Sequence, residues 1–390
     1  MSTKQIDLSE LRLFDHHCHS VTAADLDRRE LELLITEAST IPPGVDRFHT
    51  QVGMSVRRWC APVLGLEPFA SADAYVARRQ ELGGREASRR LLAASGIAAL
   101  GLETGIEPED AFSPDDMATS CEADWLEIIR LERETERLAQ RFVADGGGRD
   151  GAAFLAALDE HLRSRLAGAI GVKSIAAYRI GLDFNSSRPS SAEAVTAFER
   201  WLGTIQGDAL PRLTDATIIR MLLWWAIDHQ TAIQLHIGYG DDDVDLHRCN
   251  PLLLSTLLRE TASSGARFML LHCYPFHREA GYLADVFPHV YCDVGLAINY
   301  TGARSSAIIA ESLELTPFSK VLFSTDAFGA AELYLLGTTL FHRGLARTLQ
   351  DFHEHEDWPL DDCHRIAEDI AWSNAIRAYQ LTDGRGPTPR

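Results

Sequence analysis

The sequence predicts a (β/α)8 barrel, in which eight parallel strands alternate with helices. Eight short apolar runs are separated by helix-like segments, and eight such units suit a chain of 390 residues. A doubly wound open sheet is the alternative, but the glycine-rich phosphate-binding motif that follows its first strand is absent. We expect a single domain over residues 1–380, because no linker divides it, and a Gly/Pro-rich tail over residues 381–390.

Composition narrows the classes of partner. The chain has 56 acidic residues and 37 Lys plus Arg, a net charge of −19, which disfavours nucleic acid and anionic membranes but leaves room for a local basic pocket. The seven cysteines contain no CxxC pair, so we expect no disulfide framework. We find no apolar signal core and no apolar run of about 18 residues, and therefore expect a reduced cytoplasmic protein without a membrane span.

The first apolar run, Leu11–Ser20, ends in a histidine pair. His17 and His19 are two residues apart, so in a strand they point to the same face. Two imidazoles on one face at a strand end make half of a metal site. On its own, such a pair is as often two solvated loop histidines. We interpret His16 and Cys18, which alternate to the other face, as packing residues.

Residues 21–95 have helical texture and are long for one connection between strands. We interpret this stretch as the first barrel helix plus a helical insertion that could cover a pocket. An equal alternative is that these helices have a purely structural role. The predicted helices within it are 24–34 and 73–92, the second rich in Ala, Arg, Glu and Leu.

The remaining runs follow in order along the chain. The seven further runs cover residues 96–105, 125–132, 169–179, 231–236, 266–272, 289–294 and 320–326. Helix-like segments separate them, at residues 133–142, 154–166, 192–205, 215–229, 251–263, 278–287 and 305–315, and helices continue to residue 379.

Metal-capable side chains lie at the ends of four of these runs. The first run ends in His17 and His19, the fifth in His236, the sixth in His272 and the eighth in Asp326. In a barrel these ends meet at one rim, and four imidazoles with one carboxylate suit Zn²⁺ or another first-row divalent ion. A lone histidine after an apolar run is more often a packed or capping residue, but the joint placement is far more specific. Asp326 could also act as the general base.

Several sequence motifs resemble a known family. The motifs DHHCH, LHIGYG, LLHCYP and FSTDAFG, together with KSIAAYR and GYGDDDVDLHRCNPLLL, are similar to the amidohydrolase superfamily. Within its amidohydrolase-2 group, the chain resembles the amidohydrolase domain of the FluG- and nodulin-type glutamine synthetase fusion proteins. The resemblance covers roughly residues 11–380, without the glutamine synthetase part.

The resemblance implies a set of metal ligands. It implies that His17, His19, His236 and Asp326 hold one divalent ion, Zn²⁺ or alternatively Mn²⁺. His272 would bind a second ion, or otherwise contact the substrate oxygen or the attacking water. Lys173 stands where binuclear members carry a bridging carboxylated lysine. The slightly favoured reading is nevertheless an ordinary lysine that binds a substrate carboxylate or pairs with Glu132 or Glu103.

Candidate substrate residues follow the metal-capable ones. Arg179 and Arg304 are natural forks for a carboxylate, although a surface ion pair is an equal reading for each. Tyr178 follows the fourth run, Tyr239 follows His236, and Glu132 ends the third run. The acidic residues 241–243 form either a solvated loop, the favoured reading for Asp241 and Asp242, or a site for a substrate ammonium group.

These observations predict a metal-dependent hydrolase that cleaves a C–N amide bond of a small substrate. Asp326 and His272 are the catalytic candidates. The glutamine synthetase-like partner of similar proteins suggests a γ-glutamyl or related amino-acid amide by association. A metal-dependent decarboxylase or lyase of a small carboxylic acid is the alternative, and a non-catalytic scaffold a third. We expect a homodimer, a common state for such barrels.

Overall fold

Seven parallel strands form one curled sheet in the computed structural model, which describes residues 6–207 and 209–381. Nearly all of the predicted tail lies outside the described residues. The strands pair in chain order, each with the next. They are β1 (Leu13–Cys18), β2 (Ile97–Glu103), β3 (Asp124–Arg130), β4 (Ala169–Ser174), β5 (Ala232–His236), β6 (Arg267–Leu271) and β7 (Val290–Cys292).

The eighth predicted strand is reduced to one bridge. Val321 pairs in parallel with Cys292 of β7, and Leu322 N donates to the Cys292 carbonyl at 2.9 Å. On the other side, His16 N donates to the Phe323 carbonyl and Asp326 N to the His17 carbonyl, both at 3.1 Å. The segment 321–326 therefore bonds to β7 and to β1, which places Asp326 beside the histidine pair.

Helices cover the outside of the sheet. Between β1 and β2 lie α1 (Arg28–Leu34), α2 (Gln51–Ser55), α3 (Ala61–Val63), α4 (Ala72–Leu82) and α5 (Gly84–Ala93), with a π-helical turn at Val56–Cys60. The later helices are α6 (Pro114–Cys121), α7 (Leu131–Ala144), α8 (Gly151–Leu166), α9 (Ala176–Ile180), α10 (Ser191–Leu202), α11 (Ala216–Asp228), α12 (Ser255–Thr261), α13 (His277–Val286), α14 (Gly295–Thr301), α15 (Ser305–Ser312), α16 (Ala331–His355), α17 (Leu360–Glu368) and α18 (Asn374–Tyr379).

Turn chemistry divides the helices between β1 and β2. The predicted helix 73–92 is broken at Gly83, whose φ of 81° suits a residue without a Cβ atom. The side chains of Ser71 and Asp27 cap the starts of α4 and α1. A buried cluster fastens α4 to α16, because Glu332 accepts hydrogen bonds from Arg79 and Tyr75.

The metal-capable side chains and Lys173 lie at or near the carboxyl ends of their strands. Every residue of β1, β4 and β5 is buried, as expected for parallel strands covered on both faces. Apolar side chains fill the interior, and the histidines, the lysine and Asp326 come where the strands finish. None of the described helices combines the length and apolar content that a bilayer crossing requires.

Candidate active site

Three predicted ligands form a compact cluster where β1 meets the segment 321–326. One ligand atom from each of His17, His19 and Asp326 lies within 4.8 Å of the other two. Asp326 Oδ1 is 3.0 Å from His17 Nε2 and 3.4 Å from His19 Nε2. His17 is fully buried, while Asp326 keeps 13% of its side chain exposed, so the cluster opens to one side.

His236 and His272 adjoin this cluster. His272 Nε2 lies 3.3 Å from Asp326 Oδ2, and the ring centres of His236 and His272 are 4.8 Å apart. Five buried ring nitrogens of these four histidines lack a hydrogen-bond partner, namely His17 Nδ1, His19 Nδ1, His236 Nε2 and both nitrogens of His272. Buried polar atoms without partners are uncommon, and imidazole and carboxylate ligands fit a first-row divalent ion. These residues therefore suit such an ion.

The electrostatics favour the protonation states that metal ligands need. Burial lowers the pKa of His17 and of His236 well below the usual value, and lowers that of His272 to about 4. Burial opposes ionisation of Asp326, but His272 and the hydrogen bonds from His17 and His19 outweigh it and hold its pKa well below the usual range. Neutral imidazoles and an ionised carboxylate are the forms that bind a cation.

Lys173 points into the same cluster from β4. Its Nζ lies 3.2 Å from His17 Nε2, and burial lowers its pKa to about 8. It forms no ion pair within 4 Å with Glu132 or Glu103, whose partners are Ser174 and Arg130 respectively. A buried amine with a lowered pKa is partly neutral near pH 7, and a neutral amine is the form that carboxylation requires.

Two buried carboxylates hold the backbone of the cluster. Asp293 Oδ1 accepts hydrogen bonds from His272 N at 3.0 Å, Gly295 N at 2.8 Å and Ser324 Oγ at 2.8 Å. Asp15 accepts from Thr325 N at 3.0 Å, next to Asp326. His272 and Asp326 have positive φ values of 69° and 49°, which are costly for residues with a Cβ atom. The two acids therefore fix a strained backbone at His272 and Asp326.

His16 belongs to this support. Its Nε2 lies 3.1 Å from Asp293 Oδ2 and its Nδ1 lies 2.9 Å from the Tyr379 hydroxyl. From the sequence we interpreted His16 as a packing residue and did not predict this network. Alternation along a strand shows which face of the sheet a side chain is on, but not which residues it contacts. Glu103, which ends β2, lies 3.5 Å from His19 Nδ1, whereas the sequence offered it only as a partner of Lys173.

A cavity of about 440 Å³ opens above the cluster. His19, Lys173, His236, His272 and Asp326 line it, together with the predicted substrate residues Tyr178 and Arg179. The ring centres of Tyr178 and His236 are 4.4 Å apart. Burial raises the pKa of Tyr178 well above its usual value, so its hydroxyl keeps its proton.

The close approach of the β5–α12 loop depends on Gly240. A Cβ atom at this position would lie 2.1 Å from Tyr178 Oη and 2.8 Å from His236 Nε2. Glycine at residue 240 thus lets the backbone pass directly over two residues of the cavity.

The other predicted substrate residues do not line the cavity. The Glu132 carboxylate accepts hydrogen bonds from Ser174 Oγ and Ile175 N beneath it. Tyr239 packs edge-on against Tyr300, a lining residue, at a ring distance of 5.7 Å. Arg304 is exposed at the end of the turn Gly302–Arg304.

Lining residues that the sequence reading missed come from two loops. Glu37 and Ser39 follow α1, and Ser39 Oγ donates to Asp242 at 2.7 Å in the loop after β5. Some residues between β1 and β2 therefore line the cavity. Arg133 and Arg212, also not predicted, line it too, and so does Arg130, which the sequence did offer as a candidate at the end of the third run. A larger groove of about 680 Å³, between the N-terminal segment and α16, contains none of the predicted site residues.

A family model decides the relationship. The model described as amidohydrolase matches residues 76–381, most of the chain. The chain belongs to the amidohydrolase family. This membership confirms the resemblance drawn from the sequence motifs, and it makes the protein a hydrolase of a metal-dependent family.

Two relatives support the assignment. The protein fluG of Emericella nidulans is 32% identical over 228 residues, which cover 55% of this chain and 26% of fluG, so the chain aligns with about a quarter of that protein. A solved structure from Lactobacillus casei ATCC 334, provisionally assigned as a metal-dependent hydrolase, has a TM-score of 0.82 and 29% identity, covering 97% of this chain and 98% of that one.

Sugar-acid isomerases share the fold alone. Uronate isomerase of Thermotoga maritima has a TM-score of 0.60 at 13% identity, covering 97% of this chain and 100% of that one. Glucuronate isomerase of Caulobacter crescentus has 0.59 at 15% identity, covering 97% of this chain and 94% of that one.

Proposed function

We propose that this protein hydrolyses a C–N amide bond of a small substrate, with γ-glutamyl and related amino-acid amides as the first class to test. The observation that carries the proposal is the convergence of His17, His19 and Asp326 within 4.8 Å at the floor of a cavity of about 440 Å³. The γ-glutamyl class rests on association with fusion proteins alone.

The ligand set of the proposal is His17, His19, His236 and Asp326, with Lys173 joining it when carboxylated. A bound divalent ion lowers the pKa of water and polarises a carbonyl group. Asp326 is partly exposed toward the cavity and its lowered pKa keeps it ionised, so it can accept a proton from the attacking water. The same carboxyl group then returns the proton to the leaving amine.

The negative charge on the carbonyl oxygen needs donors in the transition state. Tyr178 supplies one, because its hydroxyl keeps its proton and lies in the cavity beside His236. His272 has two ring nitrogens without hydrogen-bond partners, and one N–H is free to donate to the oxyanion. Both residues would contact the reacting carbonyl group.

The finer expectations belong to the same proposal. We infer an eight-stranded barrel in which segment 321–326 takes the eighth position between β7 and β1. We also infer one domain over residues 1–380, with the helices between β1 and β2 as an insertion. Zinc as the ion, a homodimer and a cytoplasmic setting complete the proposal, and light scattering tests the dimer.

Turnover of γ-glutamyl amides tests the function. Protein freed of metal with a chelator and reloaded with Zn²⁺ or Mn²⁺ should release amine from at least one γ-glutamyl amide, and the chelated protein should not. Asp326→Asn should abolish the release, while Asp145→Asn, an exposed change after α7, should not alter it.

Carbon dioxide release from small carboxylic acids is the opposing readout. A metal-dependent loss of CO2 without any amine release would replace hydrolysis by the decarboxylase alternative. If metal-loaded protein catalyses neither reaction, the result favours the third alternative, a non-catalytic scaffold.

A further inference from the structure

Four arginines and, besides Asp326, three acidic residues of the described chain line the cavity. We call Arg130, Arg133, Arg179 and Arg212 the cationic wall, and Glu37 and Asp241 the acidic wall. Both walls line the same cavity as the histidine–aspartate cluster. Each of the four arginines has an acidic partner, and Arg212 pairs at 2.8 Å with Asp243, which also lines the cavity. The sign of an anion site is therefore the set of guanidinium donors that these pairs leave unused.

Arg179 is the strongest sign of an anion site. Its side chain is only 6% exposed, and its one ion pair is between Nη2 and Glu136 Oε1 at 3.2 Å. The Nε and Nη1 atoms of Arg179 are buried without a hydrogen-bond partner. A buried guanidinium with two unused donors that lines a cavity is prepared for an incoming acceptor.

The local charge balance also favours an anion. Glu136 is shared, because Arg133 Nη1 also lies 3.6 Å from it, so one carboxylate serves two guanidinium groups. Arg130 pairs with Glu103, yet its Nε has no partner. A planar carboxylate matches the fork of Arg179 and would neutralise the excess positive charge.

The acidic wall has the opposite imbalance. Glu37 and Asp241 lie next to each other, and Tyr300 adjoins Glu37. No Lys, Arg or His forms an ion pair with either acid within the described part of the chain. Burial and the charge of Asp241 raise the pKa of Glu37 to about 8, which shows that two adjacent carboxylates cannot both ionise cheaply. A ligand ammonium group would relieve this repulsion.

The cationic wall and the acidic wall are not paired with each other. No arginine nitrogen of the cationic wall lies within 4.0 Å of a carboxylate oxygen of Glu37 or Asp241, and the ion pairs of these arginines go to other acids. The cavity therefore offers separate places for a negative and a positive group, with the cluster beside both.

We propose that the cavity binds its substrate as a zwitterion, with a carboxylate on Arg179 and an ammonium group against Glu37 and Asp241. The substrate class is then an amide of an amino acid whose α-amino and α-carboxyl groups are both free. The inference rests on the proposed function only for the bond that is cleaved, and the binding of the two charged groups is independent of it.

Calorimetric binding to the metal-loaded protein tests the zwitterion site without turnover. The probes are a panel of L-amino acids, each with its N-acetyl and its α-carboxamide counterpart. At least one amino acid should bind about 10-fold or more tightly than both of its capped forms, since each cap removes one charge-assisted contact. Equal binding of capped and free forms, or binding by no member of the panel, would overturn the inference.

Two variants should respond in a crossed pattern. Arg179→Met should weaken binding of the free amino acid and its N-acetyl form but leave the α-carboxamide unchanged. Glu37→Gln should weaken the free amino acid and the α-carboxamide but leave the N-acetyl form unchanged. Arg259→Met, at an exposed position in α12, is the matched control and should change nothing. Arg179→Lys replaces the methionine variant if that one does not fold.

The outcomes separate this inference from the proposed function. Selective binding of free amino acids without hydrolysis of any amide would sink the proposed function and leave the zwitterion site standing. If amides with a capped amino or carboxyl group are hydrolysed as fast as the free forms, and Arg179→Met does not change this, the proposed function stands and the zwitterion site is refuted.

Discussion

The floor and the mouth of the cavity are built in different ways. On the floor, His17, His272 and Asp326 stand at strand ends, and Asp15 and Asp293 bond directly to the backbone beside them. At the mouth, the open end of the cavity, Glu37 and Asp241 lie on two different loops. A hydrogen bond from Ser39 to Asp242 joins these loops. The floor is thus held by the sheet, whereas the mouth is built from loops, the parts of a fold that usually tolerate most change.

The largest expected effect lies on the floor. Asp326→Asn keeps the shape of the side chain but removes its charge, so it loses both the proton acceptor and an anionic ligand. We expect kcat/KM for a responsive amide to fall by about 10²- to 10⁴-fold. Steady-state kinetics beside Asp145→Asn measures this, and a fall of less than about 10-fold would contradict the assigned role.

The support beneath the floor should matter for stability. Asp293→Ala leaves His272 N, Gly295 N and Ser324 Oγ without their shared acceptor. We expect the free energy of unfolding to drop by about 3 kcal/mol or more, because buried donors lose their partner. Urea denaturation measures it, with Asp145→Ala as the surface control. An unchanged midpoint would mean that Asp293 does not hold the floor.

Gly240 is the point where the mouth meets the floor. Gly240→Ala places a Cβ atom 2.1 Å from Tyr178 Oη and 2.8 Å from His236 Nε2, so these side chains must move. We expect about 10²-fold lower kcat/KM, the scale of a misplacement of about 1 Å. Gly168→Ala, whose Cβ would meet only the Arg165 carbonyl at 3.9 Å, should be neutral. Near-normal activity in Gly240→Ala would show that the loop is less tightly placed.

The acidic wall predicts a pH dependence of stability. The pKa of Glu37 is raised from 4.5 to about 8, so the folded state holds this proton more tightly than the unfolded state. Its contribution to stability is therefore full below about pH 4.5 and is lost as the pH rises through about 8. As the pH rises through this window, the wild type should therefore lose stability relative to Glu37→Gln. Denaturation of both proteins at about pH 5 and about pH 8.5 tests it, and a constant difference would refute it.

The smallest effect should come from outside the cavity. Arg304 is exposed and does not line it, although the sequence offered it as a carboxylate fork. Arg304→Met should change kcat/KM by no more than about 2-fold, typical of a surface change. A loss of about 10-fold would mean that the mouth rearranges to include this residue.

The same contrast explains what the sequence could predict. The floor was accessible because strand alternation and the meeting of parallel strand ends follow from local pattern, so His17, His19, His236, His272 and Asp326 were found together. Seven strands were likewise predictable. The eighth run lies between β7 and β1, but it forms only one bridge, at Val321, and the hydrophobic pattern does not encode that.

The mouth was not accessible in the same way. Glu37 and Asp241 are far apart in the chain, and only the folding of two loops brings them together. The sequence favoured a solvated loop for Asp241, with a site for a substrate ammonium group as the alternative, because it gives no sign that another acid adjoins this residue. The support from His16, Asp15 and Asp293 was hidden for the same reason, since a buried polar partner on another strand leaves no local pattern.

Metal content per chain is the most direct test of the central claim, that the floor binds a divalent ion. Elemental analysis of protein purified without chelator, and again after loading with Zn²⁺ and gel filtration, should find at least one ion per chain in wild type and a clear loss in Asp326→Asn. No retained metal in correctly folded wild-type protein under either condition would contradict the account of His17, His19, His236 and Asp326 as a metal site.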